Sequence, residues 1–126
     1  MNIEKIKELH KLALQGEIDF DTFSSQVLTE GLDRVYLDLD QRLHMFYGAK
    51  DFFECLLPEK CEYEIASQFS KARLLDVIRA FDTKEISVPK LISEMAAAGI
   101  CLSYCFLKQK RALYIAVDGE FYLEEW

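Results

Sequence analysis

The chain has 126 residues, 51% of them hydrophobic and 13% aromatic, which supports one packed core and excludes a disordered segment. A formal net charge of −7 is the wrong sign for a nucleic-acid binder, which needs a basic stripe to meet phosphates. No apolar run approaches the roughly 20 residues of a membrane helix, and the charged start Met1-Asn2-Ile3-Glu4-Lys5 has no signal-peptide core, so a cytoplasmic protein is expected.

The first predicted element is an amphipathic helix over 3–15, with Ile6, Leu9, Leu12 and Ala13 on one face and Gly16 ending it. Asp19 then caps a helix over 20–30, whose buried stripe is Phe20, Phe23 and Val27 and whose stop is Gly31. From Asp33 the period changes to two. Val35, Leu37 and Leu39 alternate with Arg34, Tyr36 and Asp38, which predicts a half-buried strand. A turn at 40–42 leads to a strand over 43–47, and a third strand is expected over 52–56. Between 57 and 69 the chain holds Pro58 and a strand-like stretch over 61–66. A helix over 71–83 follows, carrying Leu74, Val77, Ile78 and Phe81. Ser87 caps a helix over 88–98 with Pro89 in its first turn, the one place a helix accepts proline. Strands are predicted at 101–107, 111–117 and 120–124, the last two joined by the tight-turn pair Asp118-Gly119.

The second half of this order repeats the first. Residues 1–58 superpose on 69–126 without a gap, at a spacing of 68, setting Glu17-Ile18 on Glu85-Ile86, Ser25 on Ser93, Gly31 on Gly99, Tyr36 on Tyr104, Leu39 and Gln41 on Leu107 and Gln109, and Phe53 on Phe121. Apolar positions are kept where identity is lost, as at Ile6/Leu74, Phe23/Leu91 and Phe46/Tyr114. The predicted fold is therefore α+β: an internal duplication of a helix-helix-strand-strand-strand unit, with antiparallel sheet covered on one face by helices. One domain spans 1–126, with copy one at 1–58, a linker at 59–68 and copy two at 69–126.

Chemistry is sparse. Cys55, Cys61, Cys101 and Cys105 lack zinc spacing and read as reduced, semi-buried hydrophobes. His10 and His44 stand in no metal or nucleophile motif, although a spatial pairing of His44 with Cys55 or Cys105 is open to a fold that brings them together. Asp38 and Asp40 share a strand face and read as solvated edge charges. Neither a cofactor, a metal nor a catalytic residue is expected.

Several stretches carry a family resemblance. In copy one they are Gln15-Gly16-Glu17-Ile18-Asp19-Phe20-x-x-Phe23, Gly31-Leu32 and the strands through Phe46-Tyr47. In copy two they are Ile86 through Leu91, Ala96-Ala97-Ala98-Gly99-Ile100, Tyr104, Tyr114 and Asp118-Gly119. On these the chain resembles the YdfO-like family of bacterial and prophage proteins, often labelled "phage envelope protein". In that family a helix pair leads to an A-x-x-G-V junction, an amphipathic strand, and a tyrosine-bearing strand before a D-x-x-G turn. Tyr36 stands where the family has tryptophan, and His44-Met45-Phe46 where it has a threonine-rich strand. The resemblance implies an α+β fold and a link to mobile elements. It implies no reaction.

Copies that share a scaffold differ where function can sit, and the hairpin tips differ in sign. Copy one reads Asp38-Leu39-Asp40-Gln41-Arg42, and copy two reads Phe106-Leu107-Lys108-Gln109-Lys110-Arg111. Lys108, Lys110 and Arg111, with Tyr36, Tyr104 and Tyr114 as stacking faces, are the candidate ligand-binding residues. The expected function is non-enzymatic binding of a protein partner by a phage-type accessory protein. The alternative is a binder of an anionic, nucleotide-like small molecule held between the copies or across a homodimer. An enzyme of unknown reaction ranks third.

Overall fold

The computed structural model describes all residues, 1–126. The elements run α1 (Ile3–Leu14), α2 (Phe20–Thr29), β1 (Leu32–Asp38), β2 (Leu43–Gly48), β3 (Phe52–Leu56), α3 (Lys71–Asp82), α4 (Val88–Ala97), β4 (Ile100–Phe106), β5 (Arg111–Ala116) and β6 (Phe121–Glu125). This is the duplicated helix-helix-strand-strand-strand order. All four helices begin on capping side chains: Asp19 and Ser87, as expected, and Asn2 and Ser70 at the matching places each accept a hydrogen bond from the backbone N–H three residues on. Left-handed backbone recurs at the repeat spacing too. Gly16 and Lys84 have φ of +74° and +62°, Gly31 and Gly99 +94° and +92°, and Arg42 and Lys110 +59° and +56°.

The six strands form one antiparallel sheet in the order β3-β2-β1-β4-β5-β6. At its centre β1 pairs with β4 so that Tyr36 stands opposite Tyr104, its own counterpart in the other copy. A pseudo-twofold axis therefore passes between these two residues. Past the bulges at Leu32/Arg34 and Ile100/Leu102, odd-numbered side chains of β1 and β4 face the helices and even-numbered ones face away, whereas Leu32 and Ile100, before the bulges, are buried in the helix-side cores. On the helical side two cores form. Ile6, Leu9, Phe23 and Val27 of α1 and α2 close over Phe46, and Leu74, Ile78, Ile92 and Met95 of α3 and α4 close over Ala112 and Tyr114. Full burial of such side chains contributes roughly 1.5–3 kcal/mol each.

Two expectations are corrected. The stretch 61–66 is not a strand. Its polar groups are satisfied elsewhere: the Arg42 guanidinium donates to Pro58 O at 3.0 Å and Cys61 O at 2.7 Å, the Tyr63 hydroxyl donates to Leu39 O at 2.8 Å, and Ala66 N donates to Ala96 O at 2.9 Å. The gapless repeat also ends before β6. Three residues, 49–51, join β2 to β3, whereas four, 117–120, join β5 to β6. His44 pairs with Cys55, but its counterpart Ala112 pairs with Glu124, one residue beyond the 68-residue offset. A slip of one residue turns a side chain to the other face of a sheet. Phe53 accordingly packs against the α1–α2 core while Phe121 lies on the open face, so the two are not equivalents.

Candidate functional site

The two helix pairs touch where α1 approaches α4 and where Phe20 of α2 packs against Phe81 of α3. Between them lies a cavity of about 760 Å³, within the range of small-molecule sites. Its floor is made by the helix-facing residues of the central strands, Val35, Leu37, Ser103 and Cys105, with His44, Ala112 and Tyr114 beside them. Its walls come from all four helices, and the α1–α2 and α3–α4 turns form its rim. Both members of repeat pairs such as Phe23/Leu91, Val35/Ser103 and Leu37/Cys105 line it, so the cavity straddles the pseudo-twofold axis.

Its polar groups break that symmetry. His10 Nε2 and His44 Nδ1 share a hydrogen bond at 3.1 Å, where the other copy has Ile78 and Ala112. Burial lowers the His10 pKa to about 4; burial, then the neighbouring His10, lowers that of His44 to about 3. Both rings are thus neutral near pH 7. One N–H lies between them, so the two outer nitrogens present one donor and one acceptor, whichever tautomers form. Across the cavity the Tyr114 hydroxyl donates to Glu124 Oε1 at 2.7 Å. Burial raises the Glu124 pKa, and Asp82 adds to it against the opposing Tyr114 hydrogen bond. Burial likewise raises Asp82, with Asp21 adding. The Cys105 thiol is pushed up to about 12, mainly by burial and secondarily by Glu124, so it is no thiolate nucleophile.

The rim is acidic and aromatic. Glu17, Asp19, Asp21, Asp82, Glu85 and Glu124 line the cavity against a single lysine, Lys84, whose Nζ is already 3.0 Å from Asp19. Phe20 packs against Phe81 and Trp126, each with ring centroids 5.9 Å away, at the same mouth. No group of three or more His, Cys, Asp or Glu side chains converges as a metal site.

The sheet separates the six residues singled out from sequence. Only Tyr114 lines the cavity. Tyr36 and Tyr104 stack edge to face at 4.6 Å on the opposite, open face, and Arg111 lies on that face with its guanidinium 3.7 Å from Glu125. Lys108 and Lys110 are exposed in the β4–β5 turn. The sequence reading left His10, His44 and Cys105 as background and did not single out Glu124. A signal existed for the first three, because each of His10/Ile78, His44/Ala112 and Leu37/Cys105 sets a polar or thiol side chain in one copy against an apolar one in the other. The copies thus differ in chemistry at buried positions as well as at the hairpin tips.

No protein-family model matches the chain, and no curated protein matches it. The resemblance to the YdfO-like family thus rests on its motifs alone. No helix is long and apolar enough to cross a membrane.

Proposed function

We propose that this protein binds, without chemically altering it, a small apolar or aromatic molecule carrying positive charge, in the cavity between its helix pairs. One observation carries the reading: an aromatic mouth in which six carboxylates face one lysine that is itself paired. Aromatic faces and clustered carboxylates, of which Glu124 is partly buried, both favour cations, and an apolar floor favours a greasy body behind the charge. The same lining disfavours the anionic ligand expected from the hairpin charges, since Lys108, Lys110 and Arg111 lie outside it. Neutral, mutually bonded histidines and a protonated thiol suit binding better than catalysis. Association with prophages, which the family resemblance implies, is compatible with a binding role and names no ligand.

Trp126 is the only tryptophan of the chain and sits at the mouth, so it reports occupancy directly. Titration with tetraphenylphosphonium should change its emission saturably, and Glu124→Gln should weaken that binding about tenfold, or ~1.4 kcal/mol. The anion 8-anilinonaphthalene-1-sulfonate should bind less tightly. Equal or tighter binding of the sulfonate, or indifference of the cation to Glu124, would overturn the reading.

A further inference from the structure

The sheet has a second face, and no helix covers it. Its side chains form three rows across the six strands: Leu56-Leu43-Asp38-Leu102-Ile115-Phe121, Glu54-Met45-Tyr36-Tyr104-Leu113-Leu123 and Phe52-Tyr47-Arg34-Phe106-Arg111-Glu125. Thirteen of these eighteen positions are apolar or aromatic, where a solvated face of an antiparallel sheet alternates to polar residues. Phe52, Leu56 and Phe121 are 63%, 75% and 66% exposed. Large contiguous apolar patches of this kind mark interaction sites.

We infer that this face is a homodimer interface, in which the sheets of two copies pack against each other about a twofold axis running across the strands at the level of Tyr36 and Tyr104. Area and charge both fit a second copy. Six strands about 4.8 Å apart and about 20 Å long give roughly 580 Å² of projected surface per chain. With the relief of the pleat and side chains this reaches the range of stable interfaces, about 600–1,000 Å² per partner.

The charges favour the same arrangement. Such an axis lays β1 of one chain over β1 of the other in reverse, the first row over the third. Asp38 then stands over Arg34 of the second copy, and Arg34 over its Asp38, so one symmetric contact forms two ion pairs. Within a single chain Arg34 is poorly matched. Its Nε is buried without a hydrogen-bond partner, and the nearest carboxylate oxygen, on Asp33, is 4.0 Å away. The guanidinium lies over the rings of Tyr47 and Tyr36, at 5.0 and 5.6 Å, on the open face of the sheet. Asp38 uses Oδ1 to accept from Gln41 N at 3.0 Å, which leaves Oδ2 for a partner. The middle row meets itself in this arrangement, tyrosine on tyrosine and Met45 on Met45, with like charge only at the edge residue Glu54. The cavity lies on the far side of the sheet, so the inference stands independently of the ligand proposed above.

Sedimentation velocity on the full chain tests it. A species of twice the 14.7 kDa chain mass is expected at tens of micromolar. Arg34→Asp and Asp38→Arg should each shift the equilibrium to monomer by tenfold or more, and the double variant, which restores opposite charges across the axis, should recover the dimer. Phe52→Glu with Phe121→Glu, at sites already exposed, should give a monomer with an unchanged far-ultraviolet spectrum, even if the Arg34 variant folds poorly. A monomeric wild type at 100 µM, or a dimer that survives the Phe52/Phe121 change, would overturn the inference.

Discussion

Leu39 and Leu107 occupy the same position in the two copies, and each is buried in the core of the other copy. Leu39 packs among Leu74, Ile78 and Met95 of the second helix pair, while Leu107 packs among Ile6, Leu9 and Phe23 of the first. The cause is the central pairing. β1 and β4 run antiparallel through the pseudo-twofold axis, so each carries its C-terminal end beneath the helices of the other half. Leu39→Ala and Leu107→Ala should each cost about 3 kcal/mol, within the usual range for a fully buried leucine, as read by urea unfolding. A fragment ending at Gln68 lacks Leu107 and should show no cooperative transition.

The histidine pair makes the fold acid-sensitive in a defined window. Both folded pKa values, about 4 for His10 and about 3 for His44, lie below the unfolded value near 6.5. Between those limits the unfolded chain binds more protons, so stability is full above about pH 7 and falls as pH drops through 6 and 5. Each ring contributes at most ~1.4 kcal/mol per pH unit. Glu124 and Asp82, both raised, tilt the opposite way, so the comparison must be between variants. In His10→Phe with His44→Leu, the loss in unfolding free energy between pH 7.5 and 5 should largely disappear.

Glu124 should trade stability for binding. Its raised folded pKa means that its stabilising contribution is present at low pH and lost as pH rises through that value. Its ionised form is disfavoured because the site is partly desolvated. Glu124→Gln keeps an acceptor for the Tyr114 hydroxyl and removes the charge, so the melting temperature of the free protein should rise by about 2–4 °C at pH 7 and by less at pH 4.

Gly16 and Gly99 have similarly left-handed backbones but different surroundings. A Cβ on Gly16 would meet nothing within 4 Å, whereas one on Gly99 would meet Gln68 O at 2.6 Å. Gly16→Ala should therefore cost only the conformational strain, about 1–2 kcal/mol. Gly99→Ala must also push the linker off the α4–β4 junction and should cost clearly more in the same denaturation assay.

Local chemistry made the ten elements legible. Caps, periodicity and turn residues all act within a few positions, so Asn2, Asp19, Ser70 and Ser87 mark their helices without reference to the rest of the chain. The stretch 61–66 misled because alternation records a pattern of burial, and a segment held by Arg42 and α4 can show it without a neighbouring strand. Phe121 misled because one additional turn residue, invisible in a gapless superposition, reverses the face. Tyr114 and Tyr104 looked like neighbours in one site. Their strands are indeed adjacent, but Tyr114 pairs with Ser103, which sets the two rings on opposite sides of the sheet. The cavity itself was beyond local reading, since its walls come from two helix pairs that are distant in sequence.

A receptacle built on a twofold axis from identical halves offers its guest two equivalent poses and cannot tell one end of a molecule from the other. Here the axis survives in the backbone while the walls have diverged: imidazoles on one side of the floor, and a phenol, a carboxylate and a thiol on the other. The two poses are no longer equal in energy. A lopsided guest of the proposed kind would thereby be held in one orientation, and the symmetry of the backbone converted into directionality.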